Sequence, residues 1–164
     1  MTMTEPVSVS RRIDAPADVL FAILADPARH PEIDGSGMLR GPHSGTTALT
    51  AAGDVFSLRM YNDTMHDYVM NNHVVEYEPG RRIAWEPEMA EVSSTEYEHL
   101  VGTRARHRWG YELAPDGPGA TVVTETYDCS RAPEWVREAT NNGENWIPAM
   151  TKSLENLERL AAKG

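Results

Sequence analysis

Residues 74–85 have the sequence VVEYEPGRRIAW, in which two apolar runs flank a central Glu-Pro-Gly-Arg. Pro79 fixes its own φ and Gly80 supplies conformational freedom beside it, so the segment predicts a β-hairpin. Side chains two residues apart share one face of a sheet, which places Trp85 on the same face as Ile83. The hairpin therefore predicts a flat aromatic wall at the end of its second strand.

Strands are also expected on both sides of the hairpin, because apolar and polar residues alternate there. The predicted strands are 7–13, 55–61, 68–78, 81–86, 104–113 and 121–129. The most regular alternation, in 104–113, puts one set of side chains on a common face: Ala105, His107, Trp109, Tyr111 and Leu113. Residues 34–53 are rich in Gly, Thr and Ser and predict a loop with at most one short strand.

Helices are predicted near the start of the chain and at its end. Asp14 is a suitable N-cap for a short helix with apolar residues between Val19 and Leu24, and Pro31 limits the next segment to about one turn. Asn145 is the expected cap of a long final helix, with Pro148 in its first turn, where no amide bond is lost. The apolar stripe of that helix comprises Trp146, Met150, Leu154, Leu157 and Ala161.

Composition narrows the class of protein. A length of 164 residues predicts one domain, and a net charge of −10 disfavours nucleic acid and anionic lipid surfaces as partners. The longest apolar run, Val19 to Ala25, is too short to span a bilayer. A single cysteine, Cys129, allows no internal disulfide, and no signal peptide is recognised, so we expect a cytoplasmic protein. The sequence does not distinguish a monomer from a homodimer.

Motifs for cofactors and metals are not found in the sequence. It contains no phosphate-binding loop and no dinucleotide fingerprint. The histidines at 66 and 73, and at 99 and 107, lack the spacing of metal ligands and have no cysteine partners. We therefore expect neither a cofactor nor a metal.

Four segments together resemble the START / polyketide cyclase / birch-pollen-allergen-like (SRPBCC) superfamily, in its polyketide cyclase/dehydrase-like branch. They are the strand and helix at 13–27 (IDAPADVLFAILADP), the hairpin at 75–85, the strand at 109–113 (WGYEL) and the terminal helix. The resemblance covers nearly the whole chain and implies one domain over residues 1–164. The implied fold is α+β, a helix-grip fold in which a curved antiparallel sheet wraps around the long C-terminal helix, with two short helices after strand 1.

The same resemblance implies a deep, mostly apolar cavity between the sheet and the last helix, with lipids, sterols, polyketides or aromatic metabolites as ligands. This chain departs from the family pattern in two places. His30-Pro31-Glu32-Ile33 stands where the family often has a tryptophan. Residues 87–103 form a longer, more acidic connection than the usual tight hairpin, and we expect a pair of strand extensions there rather than a lid.

Glu125 and His107 are the candidate catalytic residues. The more apolar inward set on strand 121–129 contains Val123, Glu125 and Tyr127, which puts the Glu125 carboxyl among rings. Burial would raise the pKa of this carboxyl, which would suit it to act as a general acid or base. The alternatives are that Glu125 pairs with an arginine at the cavity rim, or faces solvent in a shifted register. His107 either bonds a ligand carbonyl or relays a proton, or is a satisfied core residue.

Residues that would line the cavity are mostly aromatic residues and methionines. The predicted ligand-binding set is Phe56, Met60, Trp85, Trp109, Tyr111, Tyr127, Trp146 and Met150. Flat Trp and polarizable Met suit an adaptable apolar site as a set, although core packing is the more common role for any one of these residues alone. The strand at 68–78 has two competing inward sets. One contains Val69, His73, Val75 and Tyr77, and the other contains Met70 and Val74.

Three functions remain open from the sequence. The first is a carrier or binding protein for a small hydrophobic or aromatic molecule of the lipid, sterol or polyketide type. The second is a cyclase, aromatase or dehydratase of the polyketide type that uses Glu125, His107 or a tyrosine as proton donor or acceptor. The third is a co-chaperone-like interaction module that binds through residues 87–103. A large cavity would favour the first two, and a filled core would favour the third.

Overall fold

The computed structural model describes residues 4–43 and 47–163. The strands within this range are β1 (Val7–Ile13), β2 (Leu39–Pro42), β3 (Val55–Asn62), β4 (His66–Glu78), β5 (Arg82–Val92), β6 (Arg108–Pro115) and β7 (Thr121–Asp128). The α-helices are α1 (Ala17–Leu24), α2 (His30–Ile33), α3 (Glu134–Ala139) and α4 (Ile147–Ala162). Short 3-10 helices occupy Pro27–Arg29, Thr95–Leu100 and Glu144–Trp146. The predicted helix-grip fold is confirmed.

The sheet is antiparallel throughout, with the strand order β1-β7-β6-β5-β4-β3-β2. Strands β2 to β7 therefore lie side by side in chain order, and β1 returns to pair with β7. The hairpin formed by β4 and β5 lies at the centre of this order, as its apolar flanks predict. Its turn has Gly80 at φ 73°, and the amide of Arg81 donates to the carbonyl oxygen of Glu78 at 2.9 Å.

A bulge in β4 explains why its inward face is ambiguous in the sequence. Val74 pairs with Trp85 and Glu76 pairs with Ala84, so Val75 is an extra residue in its strand. Before the bulge, Met70 and Asn72 line the inner face of the sheet, and Val74 is buried. After the bulge the phase is reversed, and Tyr77 packs against the core. Each inward set is thus correct only in part: Met70 and Val74 face inward before the bulge and Tyr77 does so after it. His73 does not line the cavity, and its Nε2 atom lies 2.7 Å from Glu88 Oε1.

Helix α4 packs on β1, α1 and α2, and buries Met150, Leu154 and Leu157. The loop after α2 is bonded directly to this helix. The amide of Gly35 donates to Ser153 Oγ at 2.9 Å, and Asn156 Nδ2 donates to the carbonyl oxygen of Ile33 at 2.9 Å. A β-carbon at position 35 would overlap the carbonyl oxygen of Ala149, so the close approach of loop and helix requires glycine.

Both predicted helix caps are wrong. The residue that precedes α1 in an extended conformation is Pro16, and it makes no side-chain cap. Asp14 instead forms an ion pair with Arg12 at 2.7 Å. At the C-terminal helix, the 3-10 turn Glu144–Trp146 leads directly into α4, so Asn145 lies inside helical backbone and cannot cap it. Pro148 does lie in the first turn, as predicted.

The strand predicted at 104–113 begins later than its alternation suggests. Arg106 has φ 60°, a left-handed conformation that interrupts a strand, and β6 starts at Arg108. Arg104 forms only an isolated bridge with Glu88. Only one of the two strand extensions predicted for residues 87–103 is present. Strand β5 continues to Val92 as predicted, but the chain then forms the 3-10 helix Thr95–Leu100 instead of a second strand.

In the described part of the chain, no helix is long and apolar enough to cross a membrane.

Candidate ligand-binding cavity

A cavity of about 680 Å³ lies between the inner face of the sheet and the first turns of α4. This volume falls within the range of about 300–1,000 Å³ that is usual for small-molecule sites. Strands β3 to β7 contribute side chains to its wall, and so do α3 and the 3-10 helix at Thr95–Leu100, through Tyr97 and Leu100. The segment 87–103 therefore covers part of the cavity.

Trp85 is the centre of one aromatic wall. Its ring stacks on that of His30 with the two centroids 5.4 Å apart. The centroid of the Tyr111 ring lies 6.1 Å from that of Trp85. His30 is held by a bond between Nε2 and the carbonyl oxygen of Leu24 at 2.8 Å, and burial lowers the pKa of its imidazole. Phe56 packs edge-on against Trp85 at 5.3 Å but is only 3% exposed and does not line the cavity. It supports the wall from behind.

A second aromatic group joins β6, β7 and α4. The ring of Trp109 lies 4.5 Å from that of Tyr127 and 5.4 Å from that of Trp146. His107 Nδ1 and the Tyr127 hydroxyl form a hydrogen bond of 2.8 Å. Burial lowers the pKa of His107 to about 4, so its imidazole is neutral at physiological pH. The Tyr127 phenol is correspondingly hard to ionise, because burial raises its pKa.

Methionines cover much of the remaining wall. They are Met38, Met60, Met65, Met70, Met89 and Met150. The sequence predicted only Met60 and Met150. Met70 and Met89 lie beside a register shift between β4 and β5, and Met38 and Met65 lie between strands, where no alternation shows which way a side chain faces. Flexible thioether side chains adapt to ligands of different shape, so this wall is less selective than the aromatic ones.

Glu125 is the most unusual polar group of the cavity. It is 5% exposed, and its Oε1 atom has no hydrogen-bond partner among the described residues. Burial raises the pKa of the carboxyl to about 8; its cross-strand neighbour Tyr111 opposes the rise, and the negative charge of Asp34 adds to it. The carboxyl is therefore mostly protonated at neutral pH. The structure bears out neither alternative, a rim ion pair or a shifted register.

Asp34 is a second cavity carboxyl that sequence reasoning missed. Its Oδ1 atom accepts from the Ser36 amide at 3.0 Å and the Ser36 hydroxyl at 2.7 Å, and Oδ2 accepts from the Leu39 amide at 3.1 Å. These bonds hold a carboxylate at the cavity wall. The Asp-Gly-Ser sequence at 34–36 is a usable signal, because Asp commonly bonds its own backbone in such turns.

Positive charge is directed away from the cavity. The described lining contains no lysine and no arginine. Arg104 and Arg108 lie on the outer face, where each donates to Glu86 at 2.8 Å. Within residues 4–43 and 47–163, no cluster of three or more His, Cys, Asp or Glu residues is arranged to hold a metal ion.

Nine residues were predicted from sequence to act in the site, besides Phe56. All nine line the cavity: Met60, Trp85, His107, Trp109, Tyr111, Glu125, Tyr127, Trp146 and Met150. The two candidate catalytic residues do not bond each other, since His107 bonds Tyr127 whereas Glu125 neighbours Tyr111. They therefore form two separate polar positions in one apolar space.

Residues 4–162 match the model of the family described as polyketide cyclase / dehydrase and lipid transport. The chain belongs to this family. Membership confirms the superfamily that the hairpin and terminal helix indicated. The family's own description pairs enzymes with transport proteins, so membership leaves both roles open.

Relatives and solved structures extend this picture to the fold. Over 125 residues the chain is 36% identical to the protein Rv0088 of Mycobacterium tuberculosis. These residues make up 75% of this chain and 48% of that protein. The chain thus spans about half the length of the curated relatives it matches. Protein Ms6760 of Mycobacterium smegmatis superposes with a TM-score of 0.69 at 13% identity, covering 98% of this chain and 92% of that one. DynU16, from the dynemicin biosynthetic locus, superposes with a TM-score of 0.58 at 19% identity. The superposition covers 97% of this chain and 48% of DynU16.

Proposed function

We propose that this family member binds a small, largely apolar molecule of the lipid, sterol or polyketide type in its internal cavity, as a carrier or binding protein. The observation that carries the proposal is the cavity of about 680 Å³ walled by Trp, Tyr and Met side chains. A protein that acted only through its outer surface would gain nothing from so large an internal space. The cavity therefore supports ligand binding over the co-chaperone-like alternative.

The size of the cavity permits useful affinity. An aromatic ligand that buries about 300 Å² of apolar surface gains on the order of 7 kcal/mol before the cost of association is subtracted. Ring stacking against Trp85 and Trp109 adds to this gain. The sum exceeds the lower estimates of the association cost, so binding should be measurable.

Binding can be tested with Nile red, a neutral dye whose fluorescence rises in apolar surroundings. We expect saturable binding by the purified protein, and a co-purifying apolar ligand in native mass spectrometry. Ala105→Trp places an indole in the cavity and should weaken Nile red binding at least tenfold, whereas Ala114→Trp on the exposed outer face of β6 should not. If Nile red does not bind and the protein has a clean apo mass, the proposal is wrong.

A second candidate function is acid–base catalysis on a bound poly-ketone. It is favoured by the Glu125 carboxyl, which is protonated, enclosed and has an oxygen without a partner among the described residues. Such a group can donate a proton to a ketone oxygen while a carbon–carbon bond forms, and the neutral His107 can accept or relay one. Folding the substrate against the aromatic walls would supply much of the rate.

This second function can be tested with 1-phenylhexane-1,3,5-trione, which cyclises to 5-phenylresorcinol with loss of one water. The protein should accelerate this reaction, and Glu125→Gln should reduce the turnover by about 10²–10⁴-fold without unfolding the chain. Equal turnover in this variant would remove the assigned role of Glu125. Binding of the triketone with no acceleration would leave the carrier as the function.

A further inference from the structure

Two buried polar atoms in the cavity wall have no hydrogen-bond partner among the described residues. They are Glu125 Oε1 and Trp146 Nε1. Buried polar atoms are nearly always bonded in native proteins, so a pair left free inside one cavity points to a ligand that completes them. An indole nitrogen can only donate, and a neutral carboxyl has one O–H to donate. A neutral carboxyl also accepts through its carbonyl oxygen. Trp146 Nε1 therefore calls for an acceptor atom on the ligand, and the O–H of the protonated Glu125 can donate to a second acceptor.

The two donors lie on the same side of the cavity. Glu125 and Tyr127 are two residues apart on the inner face of β7, which separates them by about 7 Å. The Tyr127 ring in turn lies 6.2 Å from the Trp146 ring. A flat ligand that rests against Tyr127 and Trp109 would thus have Glu125 near one edge and Trp146 near another.

The charges around the cavity oppose anionic ligands. Its described lining includes the carboxyls of Asp34 and Glu125 and contains no lysine or arginine. The two histidines, His30 and His107, are neutral because burial lowers their pKa values. A carboxylate or phosphate in this space would meet the Asp34 carboxylate without a counter-charge, and an unpaired buried anion is strongly disfavoured.

We infer that the cavity selects neutral, ring-containing ligands whose ketone or quinone oxygens accept hydrogen bonds from Glu125 and Trp146, and that it rejects carboxylate-bearing lipids such as free fatty acids. This inference rests on the proposed function, since it names the class of ligand for the same cavity. It explains two features at once, the free donors and the missing positive charge. Neither feature is needed simply to hold an apolar molecule.

The test uses three anthracenes of matched shape at pH 7: 2-acetylanthracene, 2-ethylanthracene and anthracene-2-carboxylate. Binding is followed by quenching of tryptophan fluorescence and by calorimetry. The ketone should bind about tenfold more tightly than the hydrocarbon, because it gains at least one hydrogen bond. The carboxylate should bind more weakly than both.

Variants isolate the donors. Glu125→Met and Trp146→Phe each remove a donor and keep an apolar side chain. Because the single ketone oxygen of 2-acetylanthracene lies at one edge of the ligand, at least one of these variants should reduce the preference for the ketone. The double variant should reduce it to about twofold or less while retaining binding of the hydrocarbon. Glu112→Gln changes an exposed glutamate on the outer face of β6 and should leave the tenfold preference intact. If the double variant fails to fold, an unchanged preference for the ketone in both single variants would overturn the inference.

The outcomes separate the two proposals. Equal affinity for ketone and hydrocarbon, or tight binding of the carboxylate, would overturn the inference about ligand class and leave the binding function standing. Binding of Nile red without binding of any anthracene would do the same. If neither Nile red nor any anthracene binds, the proposed function is wrong and the inference falls with it.

Discussion

Among single residues, Glu125 has the largest physical consequence, because it is an ionisable group enclosed by rings. Its inward direction was predictable, since β7 alternates without interruption and Val123, Glu125 and Tyr127 are all buried. Its missing bond was not predictable, because a partner depends on how distant elements meet. Asp34 was missed for a related reason: a loop residue has no periodicity to show which way it faces.

The raised pKa of Glu125 makes stability depend on pH in a defined direction. The carboxyl has a pKa of about 8 in the folded chain against an ordinary value of 4.5, so the folded state binds more protons between these values. Stability therefore decreases as pH rises from about 4.5 to about 8, and the full penalty is present above that range. Below pH 4.5 both states are protonated and the penalty vanishes.

Glu125→Gln should remove this dependence, since the amide has no charge to lose. Relative to the parent, the variant should gain on the order of 3 kcal/mol in free energy of unfolding between pH 5 and pH 8. Urea titrations at both pH values measure the gain, and Glu112→Gln serves as the exposed control. A constant difference across this pH range would show that Glu125 titrates normally in the folded protein.

At the scale of elements, the accuracy of sequence patterns depended on whether a strand was regular. Periodicity located β7 and both hairpin strands because their alternation spans several residues. It misled in β4, where the bulge at Val75 reverses the phase, and at 104–107, where the φ of Arg106 ends the pairing. A bulge and a left-handed residue are backbone conformations, and the alternation of apolar and polar side chains does not reveal them.

The contact between the loop after α2 and helix α4 provides an element-scale prediction. In Gly35→Ala the new β-carbon would overlap the Ala149 carbonyl oxygen and lie 2.8 Å from the Ser153 amide nitrogen, so loop and helix must separate. We expect a loss of about 2–4 kcal/mol in free energy of unfolding, measured by urea denaturation.

Gly119→Ala is the matched control, because position 119 has open space around its β-carbon and no positive φ. This variant should change stability by less than about 1 kcal/mol. Similar losses in the two variants would mean that the contact with α4 does not account for the effect at Gly35, since the lower backbone entropy of an unfolded chain with alanine would by itself stabilise both variants.

For the whole molecule, the fold combines a packed core with an internal space. Leu20, Leu154 and Leu157 are fully buried where the helices meet, while the other part of the sheet surrounds the cavity. The general architecture followed from the sequence, because the hairpin and the final amphipathic stripe are long signals. The cavity volume could not be predicted from the sequence, because it depends on the space left between side chains of many different elements.

Ligand binding should stabilise the whole molecule by mass action. At a free Nile red concentration 100 times its dissociation constant, the free energy of unfolding should rise by about 2.7 kcal/mol. For a chain of this length that corresponds to an increase of about 5–10 °C in Tm. Differential scanning calorimetry measures the increase. Ala105→Trp should show little of it at the same dye concentration; an equal increase in both proteins would place the dye outside the cavity.

An internal space of about 680 Å³ also affects the mechanical response of the molecule. Whatever part of this space water leaves empty disappears on unfolding, so the unfolded chain occupies less volume and hydrostatic pressure favours it. The ligand-free protein should therefore unfold at lower pressure than the Nile red complex or the Ala105→Trp variant, as followed by tryptophan fluorescence in a pressure cell. Equal midpoints would mean that water already fills the space. Compression thus measures how much of the cavity is empty without knowledge of the natural ligand.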